Sequence, residues 1–171
     1  MRNVHSISVA LLFAFFLTAS QSHADTVIAG DLDYVFPLGS KADSGGGFGI
    51  RVGSQLHVPL LVLTPELGFT YDGFSGDFGP RVYRGIAGLR VGVGEVIRPG
   101  VFGHLGVGRM TSAPDASHTA FTYDAGIFLD FTLLPILNIG VHGAYNHLNG
   151  GEASFANYEW VTLGAHAALV F

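Results

Sequence analysis

The chain contains no cysteine, which excludes a disulfide framework and a thiolate metal site. Charge is scarce too. Only 12% of the residues are Asp, Glu, Lys or Arg, roughly half the share found in an ordinary soluble domain. Lys41 is the single lysine. No apolar run beyond residue 24 reaches the about 20 residues that a membrane-spanning helix needs. Against these shortages stand 49% hydrophobic residues and a mean hydropathy of +0.43. Something apolar must therefore cover the outside of the fold.

Residues 1–24 read as a secretory signal. Arg2 supplies the charged start, Val9 to Thr18 the apolar stretch, and Ser22-His23-Ala24 a small-residue cleavage site. Removing them leaves a chain from Asp25 onward, 147 of the 171 residues, enough for one core and one domain. The loss of Arg2 takes Lys and Arg from 8 to 7 against 13 acids, a net charge of −6. So acidic a chain is a poor candidate for nucleic acid or anionic lipid binding.

Past residue 25 the apolar residues alternate with period two, the signature of strands. Ile28 to Phe36 keeps apolar residues or Gly at even positions and both aspartates, Asp31 and Asp33, at odd ones. Phe121 to Thr132 repeats the pattern with Tyr123, Ala125, Ile127, Leu129 and Phe131 on one face. Eight such segments fall near 27–36, 47–57, 62–72, 82–93, 100–109, 121–132, 137–146 and 159–171. Each is about the 9–11 residues that a tilted strand needs to cross a bilayer. The links near Pro59, Gly94–Pro99 and Leu133–Pro135 are short. Those at Pro37–Gly46, Gly73–Arg81, Met110–Ala120 and His147–Tyr158 are longer and rich in Gly, Ser, Asn and Asp. Pro65 is out of place inside a barrel strand, and implies a later start of the third strand or a bulge there.

One face of the segments is apolar. It carries Arg109, at the loop-side end of its strand, and no charge nearer the middle. A lipid-facing Arg or Lys at the bilayer midplane costs about 2–4 kcal/mol, so such a face suits lipid. The other face carries Asp31, Asp33, Arg51, Glu66, Asp72, Arg84, Arg90, Asp124 and Asp130, with His57, His104, His142 and His166. Tyr34, Phe36, Phe48, Phe69, Tyr71, Tyr83, Tyr123 and Tyr145 gather toward the long-link ends, as an interfacial girdle does. Nine glycines, Gly140 and Gly164 among them, point inward, where eight strands leave little room. Apolar outside and polar inside is the reverse of a soluble barrel.

With these features the chain resembles the small eight-stranded bacterial outer-membrane barrels of OmpA/OmpX type. The most specific element is the end of the chain, Leu163 to Phe171, where a terminal Phe follows alternating apolar residues. It resembles the signal read by the barrel-assembly machinery. The run Tyr123 to Tyr145, a strand, a Pro turn and a strand, is similar to the family as well. The resemblance implies a closed antiparallel transmembrane barrel in the outer membrane, with periplasmic termini, three short periplasmic turns and four surface loops. It implies outer-membrane lipid, the assembly machinery and periplasmic chaperones as partners. It implies no activity, because one barrel serves structural, adhesive, defensive and enzymatic members.

The inward charges read as a polar network filling a narrow lumen, since buried charges must be paired or neutralised. Three arginines face six acids, so imidazolium groups or protonated carboxyls complete the balance. Four inward histidines raise a metal reading. No His-x-His pair supports it, although His142 and His166 lie on neighbouring strands, and no metal or cofactor is expected. The best enzymatic alternative is lipid A deacylation, which some eight-stranded barrels perform with a His-x-Ser pair and a downstream Glu. Here the stretch is His142-Gly143-Ala144, followed by Glu152, and Ala144 offers no nucleophilic oxygen. Ser117-His118 lies on a link, and mere adjacency is no triad geometry. The sequence thus points to a non-enzymatic outer-membrane barrel with a structural or surface-interaction role. An outer-leaflet lipid-modifying enzyme and a secreted lipocalin-like barrel are the alternatives.

Overall fold

A computed structural model describes residues 24–39, 42–76, 79–112, 116–134, 136–150 and 157–171. The expected signal segment up to His23, Lys41 and Glu152 lie outside the described residues. Eight strands follow one another: β1 (Ala24–Leu38), β2 (Asp43–Val58), β3 (Leu61–Ser75), β4 (Arg81–Gly92), β5 (Ile97–Ser112), β6 (Ala116–Leu134), β7 (Leu137–Leu148) and β8 (Tyr158–Val170). Each pairs antiparallel with the next, and β8 returns to β1, so the sheet closes into a barrel.

The in/out register follows the alternation read from the sequence. Leu32 is 72% exposed while its neighbour Asp31 is 7% exposed, and Leu67, Leu105, Ile127, Val141 and Leu163 also project outward. On the outer wall the aromatic side chains at the loop-side ends touch across strands. Phe48 meets Tyr71 at 5.4 Å between ring centroids, and Tyr71 meets Tyr83 at 5.1 Å. Such pairs add about 0.5–1.5 kcal/mol beyond the area they bury.

The strands outrun the periodic segments. β5 has 16 residues and β6 has 19, and their ladder continues to Ser112↔Ala116. Most of the expected Met110–Ala120 link is therefore strand. Apolar alternation marks only the part of a strand that needs an apolar face, whereas the backbone ladder continues through polar residues beyond it. Pro65 neither delays β3 nor bulges it. The strand begins at Leu61, and the β2–β3 register is unchanged on either side of Pro65, with Gly53↔Glu66 and Leu56↔Leu63 as the flanking pairs. The ladder lapses over two residue pairs, Ser54/Pro65 and Gln55/Thr64, where proline has no N–H to give. The turn between β2 and β3 is Pro59-Leu60, and Leu60 has a φ of 70°. Proline followed by a positive φ is the type II arrangement.

One side-chain direction also differs from expectation. His57 does not enter the lumen: its side chain is 53% exposed at the barrel rim, 4.0 Å from Asp25. Its strand position points inward, but it stands one residue from the end of β2. Glu159, at the loop-side end of β8, is a second charge on the outer face besides Arg109. It lies 3.3 Å from His147 Nδ1, and His147 stacks on Tyr123 at 4.8 Å.

Candidate functional site

All twelve polar residues assigned to the lumen by the sequence face it. Ten are buried; Asp33 and His142 are half-buried. They lie between two other layers. Toward the loops, Val35, Phe74, Val82, Met110, Leu148 and Trp160 form an apolar cluster, with Trp160 packed over the Arg84 guanidinium at 5.0 Å. Toward the short turns, Val27, Ala29, Ala168 and Val170 pack together, with Gln55, Thr64 and Asn138 buried at that end.

The charged residues connect in two strings. In the first, Arg51 donates twice to Asp31, at 2.8 and 2.7 Å, and once to Glu66, at 2.7 Å. Glu66 Oε1 lies 2.8 Å from His104 Nε2, and His104 Nδ1 lies 2.6 Å from Asp124 Oδ1. Arg84 then donates to Asp124 at 3.2 Å, to Asp72 at 3.3 Å and to Thr70 at 3.0 Å. In the second string, His142 Nε2 faces Asp33 Oδ1 at 2.8 Å and His166 Nε2 faces Asp130 Oδ1 at 2.8 Å. The two Nδ1 atoms face each other at 3.2 Å. Arg90 is 3.6 Å from Asp130. Its Nη2 makes no hydrogen bond, and the guanidinium rests on the Phe128 ring at 4.0 Å, a contact that favours a desolvated cation.

Glycine makes these reaches possible. Three histidine–carboxylate bonds cross a whole strand, and in each the intervening strand places glycine at that row. Glu66, Gly88 and His104 are successive partners across β3, β4 and β5. Asp33, Gly164 and His142 are successive across β1, β8 and β7. Asp130, Gly140 and His166 are successive across β6, β7 and β8. A Cβ at Gly140 would stand 2.6 Å from the His166 ring and 2.7 Å from Asp130 Oδ1.

His104 presents each of its ring nitrogens to a carboxylate, the arrangement that suits an imidazolium donating twice. His142 and His166 each face one carboxylate through Nε2 and face each other through Nδ1. The sequence reading missed a fourth luminal arginine. Arg98 falls in the expected Gly94–Pro99 link, but β5 begins at Ile97 and Arg98 is 6% exposed, inward, bonded to the Gly94 carbonyl at 3.2 Å. Among the described residues, six luminal carboxyl groups therefore meet four guanidinium groups and three histidines.

Little space remains inside. Two cavities of about 40 and 30 Å³ sit on either side of the network, each room for a water or two. Outside, a hollow of about 830 Å³ runs over the wall, lined by Leu32, Ile127, Val141 and Leu163, with Asp33 and His142 also in its lining. Ala144 is buried in the lumen beside Phe102 and Phe128. Ser117 lies on β6, not on a link, and its Oγ accepts from Arg109 at 3.3 Å; its neighbour His118 contacts the Asn149 carbonyl at 3.1 Å. Phe171 is exposed at the turn end, its backbone paired with Thr26 at 2.7 and 3.0 Å.

No protein-family model matches the chain, and no curated protein does. Solved structures do. Neisserial surface protein A superposes with a TM-score of 0.69 at 15% identity, over 88% of this chain and 100% of that one. Ail, the attachment invasion locus protein of Yersinia pestis, gives 0.56 at 18% identity, over 86% and 97%. The outer-membrane enzyme PagL gives 0.52 at 16% identity, over 81% and 97%. The chain has the fold of the small outer-membrane β-barrels.

Proposed function

We propose that this chain is an integral outer-membrane protein without enzymatic activity, serving envelope integrity or surface interaction. The observation that carries the reading is the lumen of paired, hydrogen-bonded charges inside an apolar wall. Its charges pair with one another, and the cavities beside them measure about 40 and 30 Å³, room for water rather than a solute. The apolar wall and aromatic band suit outer-membrane lipid, and the hollow beside Val141 and Leu163 suits acyl chains. The exposed terminal Phe171 suits recognition by the assembly machinery, with periplasmic chaperones carrying the unfolded chain to it.

The fold is shared with an enzyme, PagL, so activity must be argued on residues. His142 stands in the lining of the outer hollow, but Ala144 has no hydroxyl and lies against Phe102 and Phe128. Lipid held there finds no nucleophile. A soluble ligand-binding barrel is opposed by the lumen, which offers a network of charges rather than an apolar cavity.

The test is mass spectrometry of lipid A from cells that overproduce the protein, paired with conductance across planar bilayers holding the purified barrel. The reading predicts unchanged acylation and no stable channel. Loss of an acyl chain, or a steady open channel, overturns it.

A further inference from the structure

The geometry points to a binding site for a divalent first-row metal ion, zinc foremost, at His142, His166 and Asp31 in the lumen. The inference does not depend on the role proposed above. Although the sequence spacing gives no support for a metal, the folded register creates what the spacing lacks.

The argument begins with the two imidazoles. Their Nδ1 atoms are turned toward each other at 3.2 Å. Two nitrogens bound to one tetrahedral zinc at 2.0–2.1 Å stand about 3.3–3.4 Å apart, so the pair already has the edge length of such a site. An Asp31 carboxylate oxygen and one ring nitrogen of each histidine lie within 4.8 Å of one another. Arg51 already uses both Asp31 oxygens, but a carboxylate has about four lone-pair sites and can serve a cation besides. Imidazole and carboxylate are the donor set that zinc accepts.

The far side of each ring is also arranged as in metal sites. A ligating histidine almost always gives its other N–H to a carboxylate or carbonyl, which fixes the tautomer and the ring orientation. Here Nε2 of His142 is held by Asp33 and Nε2 of His166 by Asp130, both at 2.8 Å. Those bonds leave Nδ1, on both rings, as the atom for the metal. The 40 Å³ cavity is lined by Asp31 and His142, and the 30 Å³ cavity by His166. Each has room for a water beside a ligand. Gln55 and Asn138, near the turn end, also line the second.

The experiment is a titration of the folded, detergent-solubilised barrel with Co²⁺ as a visible probe for zinc. The inference predicts one equivalent bound, with the intense visible absorption of a tetrahedral site and displacement by Zn²⁺. His142→Ala and His166→Ala should each abolish that absorption, and Asp33→Asn or Asp130→Asn should weaken binding about 10–100-fold. His57→Ala, at the exposed rim, should change nothing. Heat-shifted electrophoresis shows which variants still fold. Should a histidine variant not fold, the wild-type protein decides: added Zn²⁺ must shift the imidazole NMR signals of His142 and His166 together. Absence of stoichiometric uptake, absorption that survives loss of either histidine, or shifts confined to other histidines overturns the inference.

Discussion

His104 Nε2 lies 2.8 Å from the Glu66 carboxylate, although a complete strand separates theirs. The bond exists because that strand presents Gly88 at the crossing. A Cβ at Gly88 would collide with the His104 ring and with the Gly103 carbonyl. Gly88→Ala is therefore expected to lower stability by about 1–3 kcal/mol, as overpacking does. Gly85→Ala, on the same strand but facing outward with nothing within 4 Å, should leave it unchanged. Urea unfolding in lipid vesicles compares the two, and equal stabilities would contradict the luminal assignment.

Arg51 holds two carboxylates at once. Arg51→Ala leaves Asp31 and Glu66 without their counter-charge, a change that costs about 3–5 kcal/mol when one partner of a buried pair is removed. Arg109 also bears a charge but is exposed, so Arg109→Ala should shift stability by less than about 0.5 kcal/mol. The same unfolding measurement checks both.

The outer wall can be probed with one substitution. Leu105 is 61% exposed in the middle of β5. If it faces lipid, Leu105→Arg costs about 2–4 kcal/mol at the bilayer midplane; on a water-facing wall it costs almost nothing. Comparing the two proteins in bilayers by equilibrium unfolding distinguishes these outcomes.

Trp160 is the only tryptophan, and it is wholly buried at the loop end of the lumen against Phe74 and Arg84. Folding should move its emission to shorter wavelength and shield it from aqueous acrylamide. Because it points inward, brominated lipids should not quench it strongly. Strong quenching by those lipids would mean that β8 is turned the other way.

Much of this fold was legible in the sequence. Period-two alternation placed all eight strands and their faces, because a wall with lipid outside and charge inside tolerates no slip by one residue. What the alternation does not show is where a strand ends once it leaves the apolar zone, so the apolar pattern stops short of the ends of β5 and β6 and leaves Arg98 in a link. The same blindness at the ends sent His57 inward. The pairing inside the lumen was hidden for another reason. Asp33 meets His142 over Gly164, and the two residues are 109 positions apart; only the closed register of β1 on β8 brings them together. Likewise the sequence named His142 and His166 as neighbours without showing which nitrogens would meet.

The most direct test of the central claim, a membrane-spanning barrel with a polar packed lumen, is cell fractionation followed by electrophoresis of boiled and unboiled samples. The structure predicts that the protein stays with the outer membrane and that the unboiled band runs at a different apparent size, since a closed barrel remains folded in detergent until heated. A protein found in the periplasm or medium, with one band whether heated or not, would contradict it.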